Sequence, residues 1–211
     1  DIGLGIPAEP LFRSSIFRAD MLPRTQTVTA GEGGYIFEAK NGYVAMEAEH
    51  YYSATASEGT EWTVYPYYGR TRSAIALTPY TSAVGNASLT YQFALPTETA
   101  KVKVHVVTKS TLDFLDTGGF EYTVSIDGGE AQVVNFNKTL VDRQPYMYSE
   151  YYPAVASRVV EKVVELPVTS HEVHTVTIQP KHPGIVFEKI VVDAGGYQPQ
   201  FLFGQESPCK R

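Results

Sequence analysis

The 211-residue chain has one cysteine, one tryptophan and three methionines. A lone Cys209 excludes both an internal disulfide framework and a cysteine-based zinc site. It leaves either a thiol near the end of the chain or a bridge to sequence outside it. Charge is also sparse: 17 Lys and Arg against 23 Asp and Glu, for a net charge of −6. Without a basic surface, neither nucleic acid nor an anionic membrane is an expected partner. No apolar run reaches the ~20 residues that span a bilayer, and no internal repeat or low-complexity tract is present. There is no G-x-S-x-G. His171-Glu172-Val173-His174 places two imidazoles at i and i+3, on opposite faces of a strand, where they cannot share one ion.

What the chain does have is tyrosine, 15 of them, with frequent valine and threonine. This composition favours strands over a helical bundle or disorder. From residue 33 short strand patterns follow one another: Tyr35–Ala39, Tyr43–Tyr52, Glu61–Tyr65, Arg72–Leu77, Ala87–Leu95, Lys101–Val107, Phe120–Ile126, Ala131–Phe136, the valine-rich Ser157–Leu166 of mixed parity, His171–Gln179 and Gly184–Asp193. Asn41-Gly42 and Asp127-Gly128-Gly129 are hairpin turn signals. In Lys101–Val107 the three valines at 102, 104 and 106 point inward, and His105 points out with the lysines. The fold class is therefore all-β, an antiparallel two-sheet β-sandwich of the jelly-roll, carbohydrate-binding-module type. Residues 33–197 form the sandwich, 1–32 an N-terminal arm or linker remnant, and 198–211 a C-terminal tail. Two stretches read as long loops, Thr108–Gly119 and the tyrosine-rich Asn137–Ala156, and loops of that length are usually functional or interfacial.

The stretch Tyr43–Tyr52 organises the rest. Val44, Met46 and Ala48 share one face; Glu47 and Glu49 share the other. Two neighbouring carboxylates must be solvated, paired or given to a cation. Gly42-Tyr-Val-Ala-Met-Glu-Ala-Glu-His-Tyr51 resembles the opening strand of the C-terminal β-sandwich of glycoside hydrolase family 115, the xylan α-1,2-glucuronidases. Glu61-Trp62 with Gly69-Arg70-Thr71, the Tyr122–Asp127 and Ala131–Val134 hairpin, Gly184–Gly196, and Leu202 through Pro208 are similar to further blocks of that domain, in order. Glu47-Ala48-Glu49 also resembles the first strand of carbohydrate-binding modules of families 6 and 35. Family 115 enzymes are large, and their catalytic acids lie in earlier domains, so no catalytic residue carries over. The resemblance implies an accessory domain that contacts the catalytic domains or a second subunit, with xylan or glucuronoxylan as a further candidate partner. A freestanding, self-assembling extracellular module is the alternative.

The family 6 and 35 modules use such first-strand acids, with one on the last strand, to hold a structural calcium. Glu47, Glu49 and Glu188 are thus candidate metal ligands; for Glu188 the alternative is a lysine or a backbone amide. Sugar stacking needs exposed rings. Trp62, Tyr67, Tyr68, Tyr146 and Tyr148 are the candidate carbohydrate-binding platforms, with Trp62 leaning toward the core. Arg70 is a candidate for holding a uronate carboxylate, or equally for capping a loop. Asn86-Ala-Ser and Asn137-Lys-Thr are N-glycosylation acceptors. With Asp1 in place of an initiator methionine, they suggest a secreted, extracellular protein, either mature or part of a longer one.

Overall fold

The computed structural model describes residues 28–96 and 98–211, so residues 1–27 of the expected arm lie outside the described residues. The described residues form thirteen strands in two sheets, with one short helix. The first sheet runs β13 (Cys209–Lys210), β1 (Ile36–Glu38), β6 (Ser88–Ala94), β11 (Val173–Pro180), β8 (Glu121–Ile126), β9 (Gln132–Asn135), with β3 (Ser53–Thr55) also on β6. The second runs β10 (Val159–Pro167), β7 (Lys101–Lys109), β12 (Val186–Asp193), β5 (Ala74–Thr78), β4 (Glu61–Tyr65), with β2 (Tyr43–Glu47) also on β12. Pairing is antiparallel throughout except for β1 with β6. The expected sandwich is the one observed.

Alternation makes the core. Leu89, Tyr91 and Phe93 of β6 face Val102, Val104 and Val106 of β7, with Val44 and Met46 of β2 in the same cluster. Asn41 and Gly42 both have positive φ, at 57° and 78°, as the asparagine-glycine turn requires. The turn does not make a hairpin, however. β1 enters the first sheet and β2 the second, and only Lys40 and Tyr43 bridge. This turn hands the chain from one sheet to the other.

Two segments differ from expectation. Residues 198–211, expected as a C-terminal tail, pack back on the sandwich. Tyr197 and Phe203 cover Ala45, Val107 and Val191 on the outer face of the second sheet. The chain then crosses to pair β13 with β1. Ser207 fastens the crossing, its N–H donating to Ala45 O and its Oγ accepting from Ala45 N. His105 points outward as expected yet is buried, its ring 4.9 Å from Tyr197 and its Nδ1 2.7 Å from Glu161. The second is the tyrosine-rich loop, which contains a π-helical turn, Met147–Tyr151, running into α1 (Tyr152–Ser157).

Asn137 is likewise not a glycosylation site. Its side chain is buried; Oδ1 accepts from Phe120 N–H and Nδ2 donates to Thr111 O. Asn86 is exposed. Expression in a secretory host is therefore expected to add at most one N-glycan, at Asn86, read as a single mass increment lost in Asn86→Gln. Asn137→Ala strands the buried Phe120 N–H and the half-buried Thr111 carbonyl, and is expected to lower stability by roughly 1–3 kcal/mol in urea unfolding.

Candidate functional site

The outer face of the second sheet gathers the sequence's candidate residues at the end of β2. A bulge makes this possible. Pairing of β12 with β7 shifts register between Phe187 and Lys189. Phe187 and Ile190 both lie in the core, so Glu188 and Lys189 turn outward side by side. Glu47 pairs with Lys189 in the ladder, and Glu49 follows in the turn after β2. The 66–73 loop and residues 201–206 then close over the group, leaving Glu47, Glu49, His50, Glu188 and Lys189 all buried.

Each acid has partners. Lys189 Nζ donates to Glu47 Oε1 at 3.1 Å, Leu202 O at 3.2 Å and Gly204 O at 2.7 Å. Thr71 Oγ1 donates to Glu47 Oε2 at 2.6 Å. Arg70 N–H donates to Glu188 Oε2 at 2.6 Å, while Lys109 Nζ lies 2.8 Å from Glu188 Oε1 as a charge contact rather than an aligned hydrogen bond. Ser73 N–H donates to Glu49 Oε1, and Glu49 Oε2 is buried without a partner. Glu206 closes the group, 2.5 Å from His50 Nδ1. Burial works against charge on the His50 ring, but Glu206, with Glu49 and Glu47 behind it, outweighs burial and raises its pKa.

Calcium takes roughly six to eight oxygen ligands. Of the three candidate acids, Glu47 and Glu188 already face ammonium groups, and Glu49 offers one open oxygen. Among the described residues no cluster of His, Cys, Asp and Glu is arranged to hold a metal. The residues present do not fit a calcium cage.

Glu49 is the strained member. Burial, then the neighbouring Glu47, raise its carboxyl to about 6 from 4.5. A carboxyl whose folded pKa lies above its unfolded one costs stability wherever it is ionised, fully above the folded value and not at all below the unfolded one. Glu49→Gln keeps an acceptor for Ser73 and is expected to stabilise by about 1–2 kcal/mol at pH near 7.5. The gain fades as pH falls through about 6 toward 4.5, as thermal melts across that range would show.

The sugar candidates separate. Trp62 is half-buried on Phe187 at 6.4 Å, and its indole N–H donates to Thr55 O, so it belongs with the core. Arg70 is a clasp: its guanidinium donates to Ser157 O and Phe201 O and lies 4.3 Å over the Phe201 ring and 5.1 Å over Phe203. Tyr146 is half-buried. Tyr148 is exposed beside Tyr152 at 5.5 Å. Tyr67 is 95% exposed at φ 59°, and the exposed Tyr68 ring has Lys109 Nζ 5.0 Å from its centre.

A cavity of about 380 Å³ lies beneath Arg70, lined also by Glu150, Glu161, Lys162, Ser157 and Phe203. Its two carboxylates are partnered, Glu150 by Thr139 and Lys162, Glu161 by His105. The Thr139 hydroxyl, more than Lys162, holds Glu150 below the ordinary carboxylate value, which unsuits it to carry a proton to a leaving group. Sequence reasoning missed Lys189, Lys109, His50 and Glu206. The one available signal was the Glu188-Lys189 doublet, which interrupts an apolar run as only a bulge could accommodate.

The model of the glycosyl hydrolase family 115 C-terminal domain matches residues 36–206. This chain belongs to that family. A solved family 115 4-O-methyl-α-glucuronidase with specificity for decorated arabinogalactans superposes with a TM-score of 0.50 at 16% identity, covering 67% of this chain and 18% of that one. The family 115 domain is thus a small part of the enzyme it resembles. The C-terminal family 6 carbohydrate-binding module of LamC, a marine laminarinase from Zobellia galactanivorans, gives a TM-score of 0.47 at 9% identity over 72% of this chain and 98% of the module. A family 35 module from Clostridium thermocellum gives 0.45 at 11% over 71% and 97%. No curated protein sequence matches the chain.

Proposed function

We propose that this family 115 domain is a non-catalytic accessory module of a secreted xylan α-1,2-glucuronidase and docks on the enzyme's other domains or a second subunit. The observation that carries the reading is its exposed apolar surface. Tyr67, Tyr68 and Phe201 stand out from segments clasped together by Arg70, and Leu112, Phe114 and Leu115 from the loop that follows Lys109. Exposed aromatic side chains of this kind are what protein interfaces bury. Tyr67 in particular holds a left-handed backbone that a bulky residue adopts only under constraint.

The test is titration of the 211-residue chain into the remaining domains of a family 115 enzyme. The triple variant Tyr67→Asn, Tyr68→Ser, Phe201→Ser is expected to bind at least about tenfold more weakly. Asparagine is chosen at 67 because it tolerates the positive φ. Equal affinity of variant and wild type would reject this docking face. Contact with glucuronoxylan is the finer part of the proposal, and the exposed Tyr148–Tyr152 pair is its best platform. Affinity electrophoresis in glucuronoxylan should retard the wild type and not Tyr148→Ala; no retardation of either removes the sugar.

A further inference from the structure

We propose that two lysine ammonium groups, those of Lys189 and Lys109, do the work of a structural metal ion in this domain, so that it neither needs nor binds calcium at Glu47, Glu49 and Glu188. The geometry is that of a cation centre. Lys189 Nζ draws one carboxylate oxygen from β2 and two backbone carbonyls from the 202–204 segment, the oxygen types that a hard cation gathers. An ammonium has three N–H donors, and all three have acceptors here. Lys109 supplies the second positive charge, against Glu188.

Three further observations agree. Glu47, Glu49, Glu188 and Glu206 are met by Lys189, Lys109 and His50, with the Arg70 guanidinium adding its field at Glu188, so no dication is required to offset the charge. The bulge at Glu188 projects both members of the Glu-Lys doublet into the same buried layer. A metal ion bound between Glu47 and the 202–204 carbonyls would have to expel the Lys189 ammonium, which is 2% exposed and has no route to water short of lifting the segment that covers it.

The test uses the full 211-residue chain. Its melting temperature is expected to be the same in chelator and in millimolar calcium, and terbium luminescence should detect no saturable site. In ¹⁵N-detected ammonium spectra Lys189 should give a slowly exchanging signal near neutral pH, which broadens beyond detection in Glu47→Gln. A saturable terbium site in the wild type, displaced by calcium and accompanied by a calcium-dependent rise in melting temperature, would overturn the proposal. So would a Lys189 ammonium that exchanges as freely as a surface lysine.

Discussion

Lys189→Met is expected to destabilise the domain by about 3–5 kcal/mol, seen as a fall in urea midpoint at nearly constant slope. The magnitude follows from what stays behind. Methionine fills much of the lysine's volume, but Glu47 keeps its charge in a buried layer, and the carbonyls of Leu202 and Gly204 lose their donor. Stranding one member of a buried pair costs far more than the pair contributes. Lys189→Met combined with Glu47→Leu should therefore recover part of the loss, because the unpaired charge is gone. Full recovery is not expected, since the two carbonyls remain without a partner. If the double variant is no better than the single one, the carbonyls rather than the carboxylate carry the effect.

Phe187→Ala is expected to cost a similar amount, about 3–5 kcal/mol. Phe187 is fully buried where the two sheets meet, its ring edge-on to Tyr122 at 5.6 Å and tilted against Trp62 at 6.4 Å. Those neighbours belong to different sheets, so the cavity cannot close by moving one side chain. The residue also sits immediately before the bulge. Loosening it is expected to disturb the setting of Glu188 and Lys189 as well, so Phe187→Ala and Lys189→Met should combine less than additively. Additive losses would show that the bulge is held by its outer-face contacts alone.

Much of the fold was legible because one physical signal repeats. Val102, Val104 and Val106, or Leu89, Tyr91 and Phe93, alternate with polar residues, and an alternating strand can bury only one face. The family blocks from Gly42 to Pro208 were equally readable, and the family model matches residues 36–206. Fates decided by distant chain were not. His105 and Glu47 point away from the core, where composition alone expects water, yet residues 197–206 come back over them. Asn137 satisfies the acceptor tripeptide, but its amide serves Phe120 and Thr111. Asn41-Gly42 makes its turn as expected, while the sheets the two flanking strands join depend on partners dozens of residues away.

By itself the sequence determined eleven of the thirteen strands, their inward faces, the all-β class and the family, because periodicity and motif order are local properties of the chain; the short β3 and β13 carry no such period. Only the tertiary structure decided what the acids at 47, 49 and 188 face. That depended on a single register shift in β12 and on the return of the C-terminal segment, which together set Lys189, Lys109 and Glu206 among them. The physical reason is that a buried charge is matched by whatever group packing brings within about 3 Å, and sequence spacing does not specify that distance.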